Sequence, residues 1–326
     1  MAAYSLANNP AVAGGDTGYA FWTPEVWNLE IRQVAQPLYV FRQFARDVRS
    51  SYPGDDTTLS VLKSSGVGTA GTTLTAGTVV PRTGIVVGTV TYTPYEWGNA
   101  ISPETRLLRM TPWALQEEMR NALSRDAAKA IDTGVRNVLL ASIAEGTNSF
   151  SMTTATTVGT LKPHHGGTVA TDSASYRLTA YGVWAAVDYL SNNNAPKINR
   201  AGVGEGYIGI LHPYQARGIK RDSQFRSAVE YAASNRLFNN EIGFWEGVYW
   251  IETTQGFYQS AATTDYCALV FGAQCYGEYL ISDLTYRRDP DTDFRRQQHH
   301  AWYFDGGWSV EYANYLAGIW SLTGSP

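Results

Sequence analysis

The segment Thr111–Ala144, TPWALQEEMRNALSRDAAKAIDTGVRNVLLASIA, constrains the fold of this chain more than any other. Thr111 suits an N-cap, Pro112 suits the first helical position, and Gly146 follows as a stop signal. Four residues of helix advance about 400°, so a stripe that recurs every fourth residue drifts about 40° per step and meets different partners at the two ends. The stripe consists of Leu115, Met119, Leu123, Ala127, Ile131, Val135, Leu139 and Ile143.

The spacing therefore predicts one helix over residues 112–145, about 50 Å long at about 1.5 Å per residue. A helix of this length is typical of a strut that braces a broad molecule. The alternative is an ordinary core helix, and periodicity alone does not separate the two.

The composition favours an ordered protein with much covered surface. Charged residues make up only 17% of the 326 residues, while aromatic residues make up 13%. Oligomer interfaces explain that combination most simply. The net charge of −4 argues against a general nucleic-acid binder, which is usually basic. The N-terminus lacks a signal-peptide pattern and no segment has the length of a membrane span, so we expect a soluble protein.

Two regions before the long helix have partners that the sequence leaves open. Residues 21–48 predict a helix from Thr23 that Pro37 ends, followed by a second apolar cluster, and this arm packs either on its own domain or on a neighbouring subunit. Residues 57–63 and 85–93 alternate like two strands around an uncharged Gly- and Thr-rich tip. They predict an extended two-stranded ribbon that needs a surface to lie on.

The rest of the chain predicts a mixture of helices and strands. Helices are expected at 176–190 and from Tyr214 onward, and apolar strands at 206–213 and 265–272. The C-terminal stretch predicts a hairpin that turns near Asp305-Gly306-Gly307, followed by a final strand.

The sequence gives little support for a metal-binding site. Aspartates alternate over 289–293 as in a calcium loop, but Phe294 and His300 occupy the positions that require Gly and Glu. The pairs His164-His165 and His299-His300 lack the i, i+4 spacing of a zinc protease. We expect the first pair to be solvated in a loop and the second to face opposite sides of a strand.

Other catalytic and binding motifs are also lacking. The glycines from Gly66 to Gly71 have dinucleotide-motif spacing, but no helix follows them. Two pairs of arginines, at 287–288 and 295–296, flank three aspartates, which favours salt bridges over a nucleic-acid stripe. Cys267 and Cys275 are expected to be buried free thiols. The sequence predicts no catalytic residue, no metal site and no cofactor.

The segment Gly206–Thr253 resembles the major capsid proteins of tailed bacteriophages, which have the Hong Kong 97-like fold. The resemblance is closest to the N-four-like podophage family. Its features are a strand ending at His212-Pro213, a helical stretch with Asp222 and Phe225, and the run EIGFWEGVYWIET (Glu241–Thr253). Further matching segments are Thr89–Leu108, Phe271–Tyr279 and His299–Trp308.

This resemblance implies an α+β Hong Kong 97-like capsid fold. Its parts are an N-terminal arm (1–54), an extended β-ribbon loop (55–100), a peripheral domain with the spine helix (101–180), an axial domain (181–281) and a return to the peripheral domain (282–326). Some relatives form lysine crosslinks; Lys63 lies at the base of the ribbon, but the sequence shows no asparagine partner, so that chemistry is not carried over.

The resemblance implies that the chain is a coat protein, which assembles into pentamers and hexamers of an icosahedral head around double-stranded DNA. Its partners would be copies of itself, with scaffold, portal and decoration proteins as further candidates and weak, sequence-independent DNA contact. It would be made in the bacterial cytoplasm and end in the virion. Large apolar groups dominate interface energies, so the interface candidates are Trp22, Trp27, Phe41, Leu74, Val79 and Tyr92, together with Arg82.

A secreted carbohydrate-binding or carbohydrate-active protein is the alternative. High Trp, Tyr, Gly and Thr contents would suit it. The missing signal-peptide pattern and the long central helix weigh against it.

Overall fold

The computed structural model describes residues 40–48, 59–67, 84–104, 115–144, 147–154, 156–159, 176–200, 204–226, 243–260, 264–288 and 296–322, together with residues 73, 74, 76, 77, 79, 80, 82, 106 and 110. The three longest α-helices in these ranges are α1 (Leu115–Ala141), α2 (Ala180–Asn192) and α3 (Pro213–Lys220). The strands are β1 (Arg46–Val48), β2 (Leu59–Val67), β3 (Ile85–Tyr92), β4 (Tyr95–Ile101), β5 (Ser149–Met152), β6 (Val158–Gly159), β7 (Ile198–Arg200), β8 (Gly204–Leu211), β9 (Phe244–Trp245), β10 (Val248–Glu252), β11 (Phe257–Ser260), β12 (Thr264–Phe271), β13 (Tyr276–Arg288), β14 (His300–Val310) and β15 (Leu316–Leu322).

The larger sheet is mixed and is buried on both faces. Its strands follow the order β6-β5-β15-β12-β8-β10-β9, with β11 paired to β12 and β7 paired to β8. Along β12, Cys267, Leu269 and Phe271 enter one core, while Ala268 and Val270 enter the other. Successive side chains of a strand point to opposite faces, so a doubly covered strand is a continuous apolar run. The prediction of a buried strand at this position is confirmed.

Helices cover the two faces of this sheet. Helices α2 and α3 pack on one face, where Val183, Ala186 and Ile219 are buried against Val270 and Ile319. Helix α1 packs on the other face. The sheet is therefore the middle layer of a three-layer arrangement.

Helix α1 also crosses to a second, four-stranded sheet with the order β1-β13-β14-β4. Toward its N-terminal end, the indole nitrogen of Trp302 in β14 donates to Asp126 Oδ2 at 3.0 Å. Toward its C-terminal end, Arg136 Nη1 donates to the carbonyl of Gln255, next to β11 of the larger sheet, at 2.9 Å. The prediction that the long helix contacts different partners at its two ends is confirmed.

The long helix ends earlier than predicted. It stops at Ala141, whereas the predicted helix ran to residue 145. The cause is the side chain of Asn148, whose Oδ1 accepts from Ala144 N at 2.6 Å and whose Nδ2 donates to Ser142 O at 3.2 Å. These bonds satisfy backbone groups that another turn would have used. The predicted signals Thr111, Pro112 and Gly146 lie outside the described residues.

The C-terminal hairpin was predicted wrongly. Strand β14 continues through Asp305, Gly306 and Gly307, pairing with β13 on one side and β4 on the other. These glycines are required by packing, because a Cβ on Gly307 would overlap the carbonyl of Thr93, and one on Gly306 would lie 2.9 Å from the ring of Phe304.

The C-terminal strand joins the larger sheet, where β15 pairs with β12 along its whole length, from Asp265↔Leu322 to Phe271↔Leu316. It pairs with β5 on its other side. The larger sheet therefore combines three distant parts of the chain, 149–159, 198–271 and 316–322.

Candidate assembly surfaces

The predicted ribbon is present. Strands β2 and β3 form an antiparallel two-stranded sheet that pairs Leu59 with Tyr92 at one end and Val67 with Ile85 at the other. One register shift falls between Ser64 and Gly66. A two-stranded ribbon is marginally stable by itself in water, so its root and its outer part must be held by something else.

The outer part of the ribbon carries exposed apolar side chains. Val79 is 85% exposed and Leu74 is 57% exposed, and Arg82 is exposed between them and β3. Val80, Ile85 and Val87 are also exposed. Single exposed apolar residues are ordinary, but a group within one short segment marks an interaction site. We call these five apolar residues (Leu74, Val79, Val80, Ile85 and Val87) the ribbon tip.

The root of the ribbon has the opposite character, because Tyr92 is completely buried within its own chain. Its hydroxyl donates to Glu311 Oε1 at 2.6 Å, and Arg46 Nη2 lies 2.6 Å from the same oxygen. Burial, followed by the hydrogen bond to the Glu311 carboxylate, raises the pKa of the Tyr92 phenol well above its usual value. The ribbon root is Tyr92, Glu311 and Arg46.

A small apolar cluster supports the root. Val48, Val90 and Tyr279 pack around Tyr92. A Cβ on Gly277 would overlap both the Tyr92 hydroxyl and Val48, so this strand position leaves room for the phenol only as glycine. The prediction that Tyr92 faces a neighbouring subunit is therefore wrong, since its own chain covers the side chain.

Phe41 is also a core residue, only 1% exposed, and its predicted interface role is wrong for the same reason. The backbone N–H groups of Val40, Phe41 and Arg42 all donate to Asp132 Oδ1, at 3.1, 2.8 and 3.1 Å. Asp132 lies in the middle of helix α1. The long helix therefore holds the point where the N-terminal residues join the body, and we call this contact the arm anchor.

Asp132 has a perturbed environment. Burial raises the pKa of its carboxyl group, and the backbone donors of residues 40–42 and the nearby Arg136 oppose that shift. Oδ2 of Asp132 is buried without a hydrogen-bond partner. The three backbone donors compensate a charge that the apolar helix face would otherwise exclude.

Further side chains secure the same junction. The Tyr276 hydroxyl donates to Phe41 O at 2.5 Å. Arg42 Nε lies 2.8 Å from Glu278 Oε1, which also accepts from Trp308 Nε1 at 3.0 Å. The charged groups at this junction are thus paired and hydrogen-bonded.

Sequence reasoning missed the anchoring groups. Asp132 and Arg46 are 90 or more positions from the groups that they contact, so no local spacing relates them. One signal was available: Asp132 directly follows Ile131 in the buried stripe of the long helix, where an unpaired carboxylate would be costly.

Several other expectations lie beyond what the structure describes. Trp22 and Trp27, the pair His164-His165 and the aspartates of 289–293 are outside the described residues. Leu74, Val79 and Arg82 are accessible, which leaves their interface role a prediction.

Within the described ranges, the side chains offer little reactive chemistry. No group of three His, Cys, Asp or Glu among them is placed to hold a metal ion. Burial raises the pKa of both Cys267 and Cys275 above the usual range, as expected for inert buried thiols. His300 begins β14 and is buried, whereas His299 precedes the strand and is partly exposed, with its Nδ1 2.6 Å from Ser102 Oγ. None of the described helices combines the length and apolar character that a membrane span requires.

The chain is similar to phage capsid proteins. The family model described as "Phage capsid protein" matches residues 124–281, slightly less than half of the chain, from helix α1 into β13. No curated protein matches the chain.

Solved phage capsids share the fold. The chain is similar to the head structure of Helicobacter pylori bacteriophage KHP40, with 12% identity and a TM-score of 0.64 over 99% of this chain and 98% of that one. It is similar to the cyanophage Pam1 capsid asymmetric unit, with 15% identity and a TM-score of 0.61 over 100% of both chains. For the capsid of Ralstonia phage GP4 the identity is 14% and the TM-score 0.63, over 90% of this chain and 94% of that one.

At such low identities the structures establish the fold, which is the mixed α+β fold of phage capsids, and the family match adds the function. Together they confirm the prediction of a phage capsid protein with a structural, non-enzymatic role in the virion. The alternative of a carbohydrate-active or carbohydrate-binding protein is not supported.

Proposed function

We propose that this chain is the Hong Kong 97-like major capsid protein of a tailed bacteriophage, closest to the N-four-like podophages, and that it forms pentamers and hexamers of an icosahedral head around double-stranded DNA. The observation that carries the proposal is the ribbon, which is fixed at its root and apolar and exposed at its tip. An isolated compact subunit has no use for such a segment, whereas a shell subunit needs one to reach its neighbour.

Ribbon overlap is the central contact of this proposal. Burying a Val, Leu or Ile side chain contributes roughly 1.5–3 kcal/mol relative to leaving it exposed. Leu74 and Val79 would supply the central anchors, with Arg82 at their polar rim. Because every copy carries both the ribbon and its receiving surface, the contact repeats around each capsomer until the shell closes.

The arm has a second, more limited role. The described junction at residues 40–42 is fastened to its own chain by Asp132. Residues before Val40, including the predicted helix with Trp22 and Trp27, are proposed to lie on a neighbouring copy. The arm anchor would then connect the contact with that neighbouring copy directly to helix α1 of the subunit.

The predicted domains are proposed in a revised form. Residues 1–54 form the arm, 55–100 the extended ribbon and 101–180 the peripheral domain with the spine helix. The axial domain comprises residues 181–275, with strands β5, β6 and β15 added because they pair within its sheet, whereas β13 (Tyr276–Arg288) belongs to the smaller sheet. The remainder of 282–326 returns to the peripheral domain through β14.

The remaining partners follow from the same proposal. The protein is synthesised in the bacterial cytoplasm and incorporated into the head, where a scaffold, a portal and a decoration protein are candidate partners. Contact with packaged DNA is weak and independent of sequence, in keeping with the net charge of −4. No cofactor is part of the proposal.

The test is electron microscopy with light scattering, first on the protein expressed alone and then with the neighbouring phage genes. Closed shells or capsomer rings are expected for the wild type. Deletion of residues 64–80 is expected to block closure while the body stays folded, as judged by an unchanged tryptophan emission maximum. Met110→Asp, which alters an equally exposed apolar residue outside the ribbon, is the matched control and should assemble normally. A compact monomer under all conditions would overturn the proposal.

A further inference from the structure

The N-terminal arm and the ribbon meet at one side chain. Glu311 Oε1 accepts from the hydroxyl of Tyr92, at the end of strand β3 of the ribbon, and from Nη2 of Arg46, in strand β1 of the proposed arm, both at 2.6 Å. Glu311 is placed between these strands because its backbone N–H donates to Cys275 O at 2.8 Å, directly before β13. A single carboxylate oxygen therefore joins two segments that are distant in the chain.

Strand β1 is held only weakly by its backbone. It is three residues long and, among the described strands, lies at the edge of the smaller sheet, where it pairs in parallel with β13 from Arg46↔Gly277 to Val48↔Tyr279. Parallel pairing is slightly less stable per residue than antiparallel pairing, and three residues make few ladder hydrogen bonds. The position of β1 therefore depends on its side chains.

The side chains of β1 also contribute apolar contact to the ribbon root. Val48 is buried and packs with Val90, Tyr92 and Tyr279. A Cβ on Gly277 would lie 2.8 Å from the Val48 side chain and 2.5 Å from the Tyr92 hydroxyl, so both side chains use the space that this glycine leaves. Displacing β1 would therefore remove an apolar neighbour of Tyr92 in addition to the guanidinium described above.

The arm anchor lies at the other end of the same short segment. The backbone N–H groups of residues 40–42 donate to Asp132 Oδ1, and Arg42 Nε lies 2.8 Å from Glu278 Oε1 on β13. Strand β1 then continues along the same part of β13. Residues 40–48 thus connect helix α1 to the ribbon root, and we call them the linking segment.

We propose that the linking segment couples the arm to the ribbon, because docking of β1 on β13 places Arg46 against Glu311 and so fixes the acceptor of the Tyr92 hydroxyl. The Glu311 side chain is only 5% exposed. Without Arg46 it would be a buried charge lacking this cation, which is costly. The coupling is reciprocal, since any two sites that stabilise each other do so equally in both directions.

This coupling sets an order on the contacts of assembly, a consequence that rests on the proposed function. A two-stranded ribbon is marginally stable by itself, so a subunit whose linking segment is undocked has a ribbon with a loosened root. The ribbon tip is therefore held ready for one neighbour by subunits whose linking segment is already in place. A displacement of the arm by another neighbour would reach the ribbon through Arg46.

The alternative is that arm and ribbon are attached independently, with Val90 and Tyr279 sufficient to hold the root. Two observations favour coupling. Both donors use the same oxygen, so neither can move without disturbing the acceptor of the other. Arg46 also acts on the phenol of Tyr92: burial and the Glu311 carboxylate raise the pKa of this hydroxyl, and Arg46 opposes them.

The test is amide hydrogen exchange, followed by mass spectrometry, on dissociated full-length subunits. Arg46→Gln removes the cation on the arm side, and Tyr92→Phe removes the hydroxyl on the ribbon side. We expect each substitution to speed exchange in both the linking segment and β3 by about tenfold, while exchange in β12 of the larger sheet is unchanged. The double variant should exchange no faster than the faster single variant, since either change alone breaks the shared contact.

Two further variants separate this coupling from a general effect of charge. Arg217→Gln, which alters an exposed arginine on α3, is the matched control and should leave exchange in both segments unchanged. Arg46→Lys keeps the charge and should retain most of the protection in β3. Faster exchange in β3 alone in the Tyr92→Phe variant would overturn the inference, because arm and ribbon would then be attached independently. Equal acceleration in β12 would also overturn it, because the whole fold would then be weakened.

The consequence for assembly is measured separately, by light scattering and electron microscopy. Arg46→Gln should form shells more slowly than Arg217→Gln, although its ribbon tip is unchanged; equal rates would refute the proposed order of contacts. If the wild type forms shells and the two segments exchange independently, only this inference fails. If the wild type forms no shells or capsomer rings, the proposed function fails, whereas coupling measured on subunits still stands.

Discussion

The two ends of the ribbon lie within residues 59–92, and their side chains are in opposite environments. At the root, Tyr92 is fully buried and its hydroxyl meets Glu311 and Arg46. At the tip, Val79 is 85% exposed. Buried polar contacts fix the origin of the ribbon, whereas the tip leaves apolar area exposed, and we propose that this area contacts another copy.

The arm anchor resembles the ribbon root in that a buried carboxylate holds a distant segment of the chain. Asp132 uses one buried oxygen to hold three consecutive backbone N–H groups. Both devices join segments far apart in the chain at a point from which an extension leaves the body. If the root and the tip differ in this way, changes at the root and anchor should reduce stability, whereas changes at the tip should reduce assembly alone.

The largest loss of stability is expected from Asp132→Ala. It leaves three buried backbone donors without their acceptor, and an unsatisfied buried group costs roughly 1–3 kcal/mol. We expect the free energy of unfolding to fall by about 3 kcal/mol, measured by urea unfolding of dissociated subunits. Asp188→Ala, on the outer side of α2, is the control and should change it by less than about 0.5 kcal/mol. Equal losses of unfolding free energy in the two variants would show that the arm anchor does not stabilise the fold.

A smaller loss is expected from Glu311→Gln at the ribbon root. Glutamine can still accept from Tyr92, but it loses the charge that faces Arg46, which is itself partly exposed. We expect a loss of about 1–2 kcal/mol, together with faster amide exchange along β3. The control Glu246→Gln, in an exposed turn, should change neither quantity. Unchanged exchange in β3 would mean that Glu311 does not fix the ribbon.

The free energy of unfolding should also depend on pH through Asp132 of the arm anchor, with a smaller effect than that of the substitutions above. Since burial raises the pKa of Asp132, the folded protein keeps the proton of this carboxyl group to a higher pH than the unfolded chain does. Its contribution to stability is complete below the ordinary pKa of the unfolded aspartate, about 3.9, and is lost as pH rises through the raised folded value.

The measurement is the difference in unfolding free energy between wild type and Asp132→Asn from pH 4 to pH 7. This difference should move against the wild type as pH rises, because only the wild type titrates at this position. Movement in the opposite sense would show that the three donors outweigh burial.

The smallest effect on stability, and the largest on assembly, is expected at the tip. Leu74→Asp with Val79→Asp changes side chains that are exposed in the subunit, so the free energy of unfolding should move by no more than about 0.5 kcal/mol. Shell formation should be lost, because two charges would enter an apolar contact. Leu74→Ile with Val79→Ile keeps the apolar area and should assemble. Normal shells from the aspartate variant would show that the ribbon tip does not contact another copy during assembly.

Much of the fold follows from local patterns. The long helix, the ribbon and the buried strand β12 were predicted because each has a periodicity that its own residues display. The hairpin turn predicted at Gly306 and Gly307 was wrong, because a glycine required by close packing looks the same in the sequence as one required by a turn. The placement of β15 beside β12 was missed because strand order carries no local signal.

By itself, the sequence determined which segments are helical, extended or apolar, and through its resemblance to phage capsid proteins it indicated the class of function. Only the tertiary structure decided which apolar residues stay available to another copy. Phe41, Tyr92, Leu74 and Val79 are alike in sequence terms, yet the first two are buried by their own chain and the last two are exposed. The physical reason is distance along the chain: the partner of Tyr92 lies 219 positions away and that of Phe41 lies 91 positions away, so burial depends on contacts that exist only after folding.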